Sequence, residues 1–137
     1  MINVRFEAYK IIVKVIHKNI FSDKLLTQMT KKIRESGKDA NFLYALVKGV
    51  IKMQENLDYI VSEYVDADKY SRTSKKVKIL LYMAIYQLRY MKKVPDHAAV
   101  HETVEEAKKL FDIRIANFIN AVLRSYLRNS EIIYPED

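Results

Sequence analysis

Apolar residues recur at intervals of three and four along most of the chain, the spacing that stacks side chains on one side of an α-helix. Val4, Ala8, Ile11, Ile12 and Val15 set this rhythm, so a first helix is predicted from about residue 3 to 18, with Lys10, Lys14, His17 and Lys18 on its opposite face. Ser22 has the side-chain oxygen to cap a second helix whose stripe is Leu25, Leu26, Met29 and Ile33. Gly37 can end it in the left-handed conformation that glycine adopts at little cost. Asp39 caps a third helix, with Phe42, Leu43, Leu46, Val47 and Val50 facing inward. Leu57, Ile60, Val61 and Tyr64 continue the period in shifted phase, so a separate helix is predicted from about Asn56. Residues 66–74, DADKYSRTS, are polar and read as the longest internal loop. Ser74 caps a fifth helix over 75–91, Pro95 and Asp96 open a sixth along Val100, Val104, Ala107 and Phe111, and Asp112 caps a seventh from Ile113 to about Arg128. The pattern predicts an all-α fold of about seven helices in two small subdomains, about 1–66 and 74–130, with 131–137 a fraying tail or the start of a linker.

Composition supports this reading. Half of the 137 residues are hydrophobic, enough for a core in a chain of single-domain size. Only two glycines and two prolines are present, too little turn punctuation for a sheet. No apolar run reaches the roughly 18–20 residues of a membrane span. Arg5, Glu7, Lys10 and Lys14 interrupt the apolar pattern of the N-terminus, so no signal peptide is expected there. Cysteine is absent, which excludes disulfides and thiolate metal sites, and a cytoplasmic location is expected.

The charge is unevenly spread. Residues 1–36 carry eight basic and three acidic side chains, and 71–93 carry seven basic and none acidic, whereas the other regions are slightly acidic. Two basic blocks in a chain of net charge +7 make an electrostatic footprint for a polyanion. Solubility alone is the competing reading. In the fifth predicted helix Lys78, Tyr82, Tyr86, Arg89 and Lys93 follow one another by three or four residues and share a face apart from the apolar stripe of Val77, Leu80, Leu81, Ala84, Leu88 and Met91. Cations there can contact phosphates and tyrosine rings can stack on unpaired bases, or the tyrosines can close the rim of the core.

Other groupings carry less. His97 and His101 have the helical spacing of zinc ligands, but HAAVHE is not the metalloprotease order, and His17 is the one other histidine, so no metal is expected. Asn117, Asn120, Arg124 and Arg128 line one face of the last helix as RNA or domain contacts, with Asn120 better read as satisfying backbone groups. Gly49, inside a helix, suggests close helix packing. No glycine cluster for phosphates, no GxSxG and no paired acid and base stand out, so no catalytic residue is assigned.

Several segments together resemble a known family. They are NVRFEAYKII at the start, LVKGVIK around Gly49, LDYIVSEY at 57–64, YQL at 86–88, VPDHAAV at 94–100, ETVEEAK at 102–108 and NAVLR at 120–124. In this order, over about residues 3–130, they resemble the NusB-type helical domain family, and within it the N-terminal domain of bacterial small-subunit ribosomal RNA (cytosine-5) methyltransferases. Arg124 followed by SYLR favours that branch, and of the N-terminal arginine cluster of free-standing antitermination factors only Arg5 is matched.

The resemblance implies a NusB-like bundle that positions ribosomal RNA for a following methyltransferase domain. Its S-adenosylmethionine would bind that domain, and this chain would hold no cofactor. The alternatives are a free-standing antitermination factor that binds RNA and a ribosomal protein, or a helical protein-interaction module without RNA affinity. The residues expected at RNA are Arg5, Lys10, Lys14, Lys75, Lys76, Lys78, Tyr86, Arg89, Lys92, Lys93, Arg124 and Arg128.

Overall fold

The structure, a computed structural model, describes residues 3–20 and 23–129. Among these residues it is all helix and turn, with eight α-helices and no strand. The expected cap at Ser22 and the tail beyond Asn129 lie outside the described residues.

The chain forms two compact units, Met1–Met53 and Gln54–Asp137. The first holds α1 (Val4–Ile16), α2 (Asp23–Glu35) and α3 (Ala40–Lys52). Each helix of this unit packs on the other two. The apolar stripes meet as expected, with Ala8, Ile12, Ile33, Leu43, Leu46, Val47 and Val50 wholly buried. Local chemistry sets the ends. Asn3 Oδ1 accepts the Phe6 N–H at 3.0 Å, and Asp39 Oδ1 accepts that of Phe42 at 2.9 Å. Such bonds satisfy first-turn amides that have no partner within the helix. Gly37 takes φ +81° after α2, where the Lys38 N–H bonds to Ile33 O at 3.2 Å and the Gly37 N–H to Arg34 O at 3.1 Å. This is the left-handed closure expected of that glycine. Gly49 is buried within α3.

The second unit holds α4 (Gln54–Ser62), α5 (Ala67–Arg72), α6 (Lys75–Tyr90), α7 (Asp96–Leu110) and α8 (Ile113–Arg128). Ser74 and Asp112 cap α6 and α8 as expected, accepting from the Val77 and Ile115 amides at 3.3 and 2.9 Å. Pro95 occupies the cap position of α7 without a side-chain hydrogen bond.

Two expectations change here. Residues 66–74 are not a plain loop, since Asp66 accepts the Lys69 N–H at 3.2 Å and starts α5. Six residues with one buried side chain, Tyr70, are too short to display a repeating stripe. The division of the chain falls between Met53 and Gln54 rather than near residue 70, because α4 packs on α6.

Helix α6 is the centre of the second unit, packed by α4, α7 and α8. Residues 79–85 are buried on every side of the helix, the pattern of a core helix rather than an amphipathic one. This corrects the reading of Tyr82 as a base-stacking residue, because Tyr82 is 0% exposed. A phenol so placed needs an acceptor. Asp58 of α4 provides it: its Oδ1 accepts hydrogen bonds from the hydroxyls of both Tyr82 and Tyr70. The Lys78 ammonium lies 4.0 Å from the centroid of the Tyr70 ring. Helices α4, α5 and α6 are thus tied through one carboxylate.

Burial first, and then the hydrogen bond to Asp58, push the Tyr70 and Tyr82 phenols above their ordinary range. Burial alone pushes Tyr9 of α1 up to about 12. The unfolded phenols ionise near pH 10, whereas the folded ones keep their protons. Their stabilisation is therefore complete below about pH 10 and lost as pH rises through the folded values. Each such phenol steepens the loss by up to about 1.4 kcal/mol per pH unit. Urea midpoints measured from pH 9 to 11.5 are expected to fall above pH 10, and less steeply in the Tyr70→Phe, Tyr82→Phe double variant. Equal slopes would contradict this account.

Candidate nucleic-acid interface

The twelve residues singled out in the sequence are divided between the two units. Arg5, Lys10 and Lys14 belong to α1 in the first unit. The Arg5 guanidinium lies 5.0 Å from the centroid of the Phe42 ring, Lys10 pairs with Glu7 at 3.0 Å, and Lys14 is exposed. Lys75, Lys76 and Lys78 stand in the first turn of α6, where Lys75 lies 5.9 Å from the Tyr82 ring centroid and Lys76 is exposed. Arg89 closes the same helix at its other end, with Lys92 and Lys93 just beyond. A 16-residue helix is about 24 Å long at about 1.5 Å per residue. With residues 79–85 buried between its ends, no phosphate track runs along α6.

The end of α6 is the richer of the two. A cleft of about 390 Å³ opens where it meets the 91–95 turn, the start of α7 and the end of α8. Arg89, Tyr90, Lys92, Asp96 and Tyr126 line it. Arg89 is half-buried and donates from Nη1 to the buried Tyr126 hydroxyl at 3.4 Å and from Nε to the Tyr90 hydroxyl at 3.3 Å. Tyr64 meets the Tyr126 ring edge-on, with centroids 5.8 Å apart. Tyr86 and Tyr90 lie 5.1 Å apart, inclined by 45°. Burial, and then the neighbouring Tyr90, raise the Tyr86 pKa.

Tyr90, 38% exposed, is a member of this site that the sequence reading omitted. Its spacing of four from Tyr86 was the available signal. Lys92 and Lys93 are exposed, as is Arg128 in the last turn of α8. Arg124 is exposed and its Nε donates to Asn120 Oδ1 at 3.4 Å, so that asparagine serves a side chain. Arg89 and Arg128 close helix C-termini, where a cation also interacts favourably with the helix dipole. The cleft thus offers the exposed Tyr90 ring, a guanidinium held by two phenols, and the exposed Lys92 ammonium.

His97 and His101 are both exposed on α7, and no group of three His, Cys, Asp or Glu residues gathers for a metal among the described residues. No helix among them is long and apolar enough to cross a membrane.

The chain is similar to known proteins of two kinds. It is 34% identical to the probable ribosomal RNA small subunit methyltransferase B of Bacillus subtilis, over 92% of this chain and 28% of that protein. It is 31% identical to the ribosomal RNA small subunit methyltransferase B of Klebsiella pneumoniae, over 98% of this chain and 30% of that protein. The chain therefore spans less than a third of either relative. It is also 29% identical to the transcription antitermination protein NusB of Listeria monocytogenes, over 97% of this chain and 98% of that protein. The NusB family model matches residues 2–128, nearly the whole of this chain, which therefore belongs to the NusB family.

Proposed function

We propose that this domain binds RNA without catalysing a reaction and positions ribosomal RNA for an S-adenosylmethionine-dependent cytosine-5 methyltransferase domain in a longer protein. The carrying observation is the likeness to two small-subunit ribosomal RNA methyltransferases across nearly all of this chain but under a third of theirs. The cleft at the end of α6 supports RNA binding through cations for phosphates and the exposed Tyr90 ring for a base. The chemistry supports the division of labour. Methylation at carbon 5 of a pyrimidine needs a nucleophile to add at carbon 6, and a cysteine thiolate does so well near neutral pH. This chain has no cysteine, and its two glycines, at 37 and 49, form no glycine-rich turn for the methyl donor.

A second reading, a free-standing antitermination factor working with RNA and a ribosomal protein, is favoured by the match to 98% of the Listeria protein's length. A methyltransferase domain encoded in the same reading frame supports the first reading, and its absence from the intact gene supports the second. Both require RNA binding. Anisotropy titrations with ribosomal RNA fragments between 50 and 200 mM salt are expected to show log affinity falling linearly with log salt, by about 0.7–0.9 for each phosphate contacted. Affinity too weak to detect at 50 mM salt would overturn both readings.

A further inference from the structure

A second groove lies wholly within the first unit, between α2 and α3. Its volume is about 600 Å³, and Thr27, Thr30, Lys31, Arg34, Asn41 and Tyr44 line it. The four α2 positions succeed one another by three, one and three residues, which puts them on one helix face. Asn41 and Tyr44 stand a turn apart on α3. Among the described residues no carboxylate lines the groove. Tyr44 is 46% exposed although it is a large ring. The Lys48 ammonium lies 5.9 Å from its centroid and pairs with Asp23 at 3.5 Å. Thr30 donates its hydroxyl proton to Leu26 O at 2.7 Å, which leaves its oxygen lone pairs turned to acceptor duty.

We infer that this groove holds an unpaired stretch of polynucleotide, with a base stacked on Tyr44 and adjacent phosphates on Lys31 and Arg34. Charge and shape select this occupant. Two cations without a lining acid suit phosphate. A partly exposed aromatic ring suits a base plane, which every nucleotide carries whatever its sequence. Asn41 can both donate and accept at a base edge. The inference rests on the reading of the domain as RNA-binding, but it concerns residues separate from the α6 cleft.

The test compares the whole chain's affinity for a short oligouridylate and for an abasic strand of equal length. The wild type is expected to prefer the oligouridylate about tenfold, within the range of a single stacking contact. Tyr44→Ala is expected to lose most of that preference and Tyr44→Phe to keep it, both with little change in thermal unfolding because the ring is partly exposed. Lys31→Ala with Arg34→Ala is expected to weaken both strands equally and to reduce the salt slope by about 1.4–1.8. If the wild type binds RNA and the Tyr44→Ala and Lys31→Ala, Arg34→Ala variants bind as it does, the groove is not a contact while the RNA reading stands. If the wild type binds no strand, the RNA reading itself fails. Binding of an oligoglutamate peptide that depends on Lys31 and Arg34 but not on Tyr44 would assign the groove to an acidic protein partner and overturn the inference.

Discussion

Replacing Tyr82 by alanine is expected to destabilise the second unit by about 4 kcal/mol, in line with aromatic deletions from packed cores. The ring is wholly buried in the central helix, so its removal leaves a cavity that α4, α7 and α8 cannot all collapse to fill. Tyr82→Phe keeps the ring and removes the hydrogen bond to Asp58. It is expected to cost about 1–2 kcal/mol, because Asp58 still accepts from Tyr70. Asp58→Ala strips both buried hydroxyls of their shared acceptor and is expected to fall between the two. Urea denaturation followed by circular dichroism measures all three. A Tyr82→Ala variant as stable as wild type would show that the ring's burial contributes nothing. That outcome is what a solvent-facing, base-stacking tyrosine predicts.

Reversing Lys92, Lys93 and Arg128 together to glutamate is expected to weaken RNA binding at least tenfold, about 1.4 kcal/mol or more. All three are exposed, Lys92 in the lining of the α6 cleft and Lys93 and Arg128 next to lining residues in the chain, so the fold is expected to survive. Arg89 is left in place because it bonds the buried Tyr126 hydroxyl and its loss would mix stability with affinity. Three lost phosphate contacts would flatten the salt dependence by about 2–2.7 in slope. Preference among RNA sequences is expected to change little, since phosphate contacts position a strand without reading it. The control reverses Lys108 and Lys109, which stand beside acids. Lys108 pairs with Glu105 at 2.8 Å and, by that hydrogen bond, lowers its pKa. Equal losses from both sets would reduce the effect to overall charge. No loss from the first set would remove the α6 cleft as the RNA surface.

The long helices other than α6 were legible in the sequence because each buries one face of a three-and-four repeat, and the starts of α3, α6 and α8 were legible because Asp39, Ser74 and Asp112 carry the oxygen that first-turn amides need. What the pattern concealed was anything settled by tertiary packing. Helix α5 buries one residue, Tyr70, too few for a period. Tyr82 has the same spacing from Lys78 as any surface neighbour, and only the arrival of α4 with Asp58 makes it core. The basic side chains were found as types, but a helix that is buried along its middle separates them into clusters that linear charge counting merges. Tyr90 and Tyr44 went unassigned because exposure of a ring is decided by which neighbours cover it, and the sequence does not name those neighbours.

The enclosure of α6 on every side has a consequence for isotope exchange. The amides of 79–85 sit on a stretch of helix with no wet face, so solvent reaches them only after packed neighbours come away. They are expected to exchange with deuterium only when the whole unit opens. Their exchange rate under native conditions then measures the global free energy of that unit alone, separately from the first unit and without any denaturant.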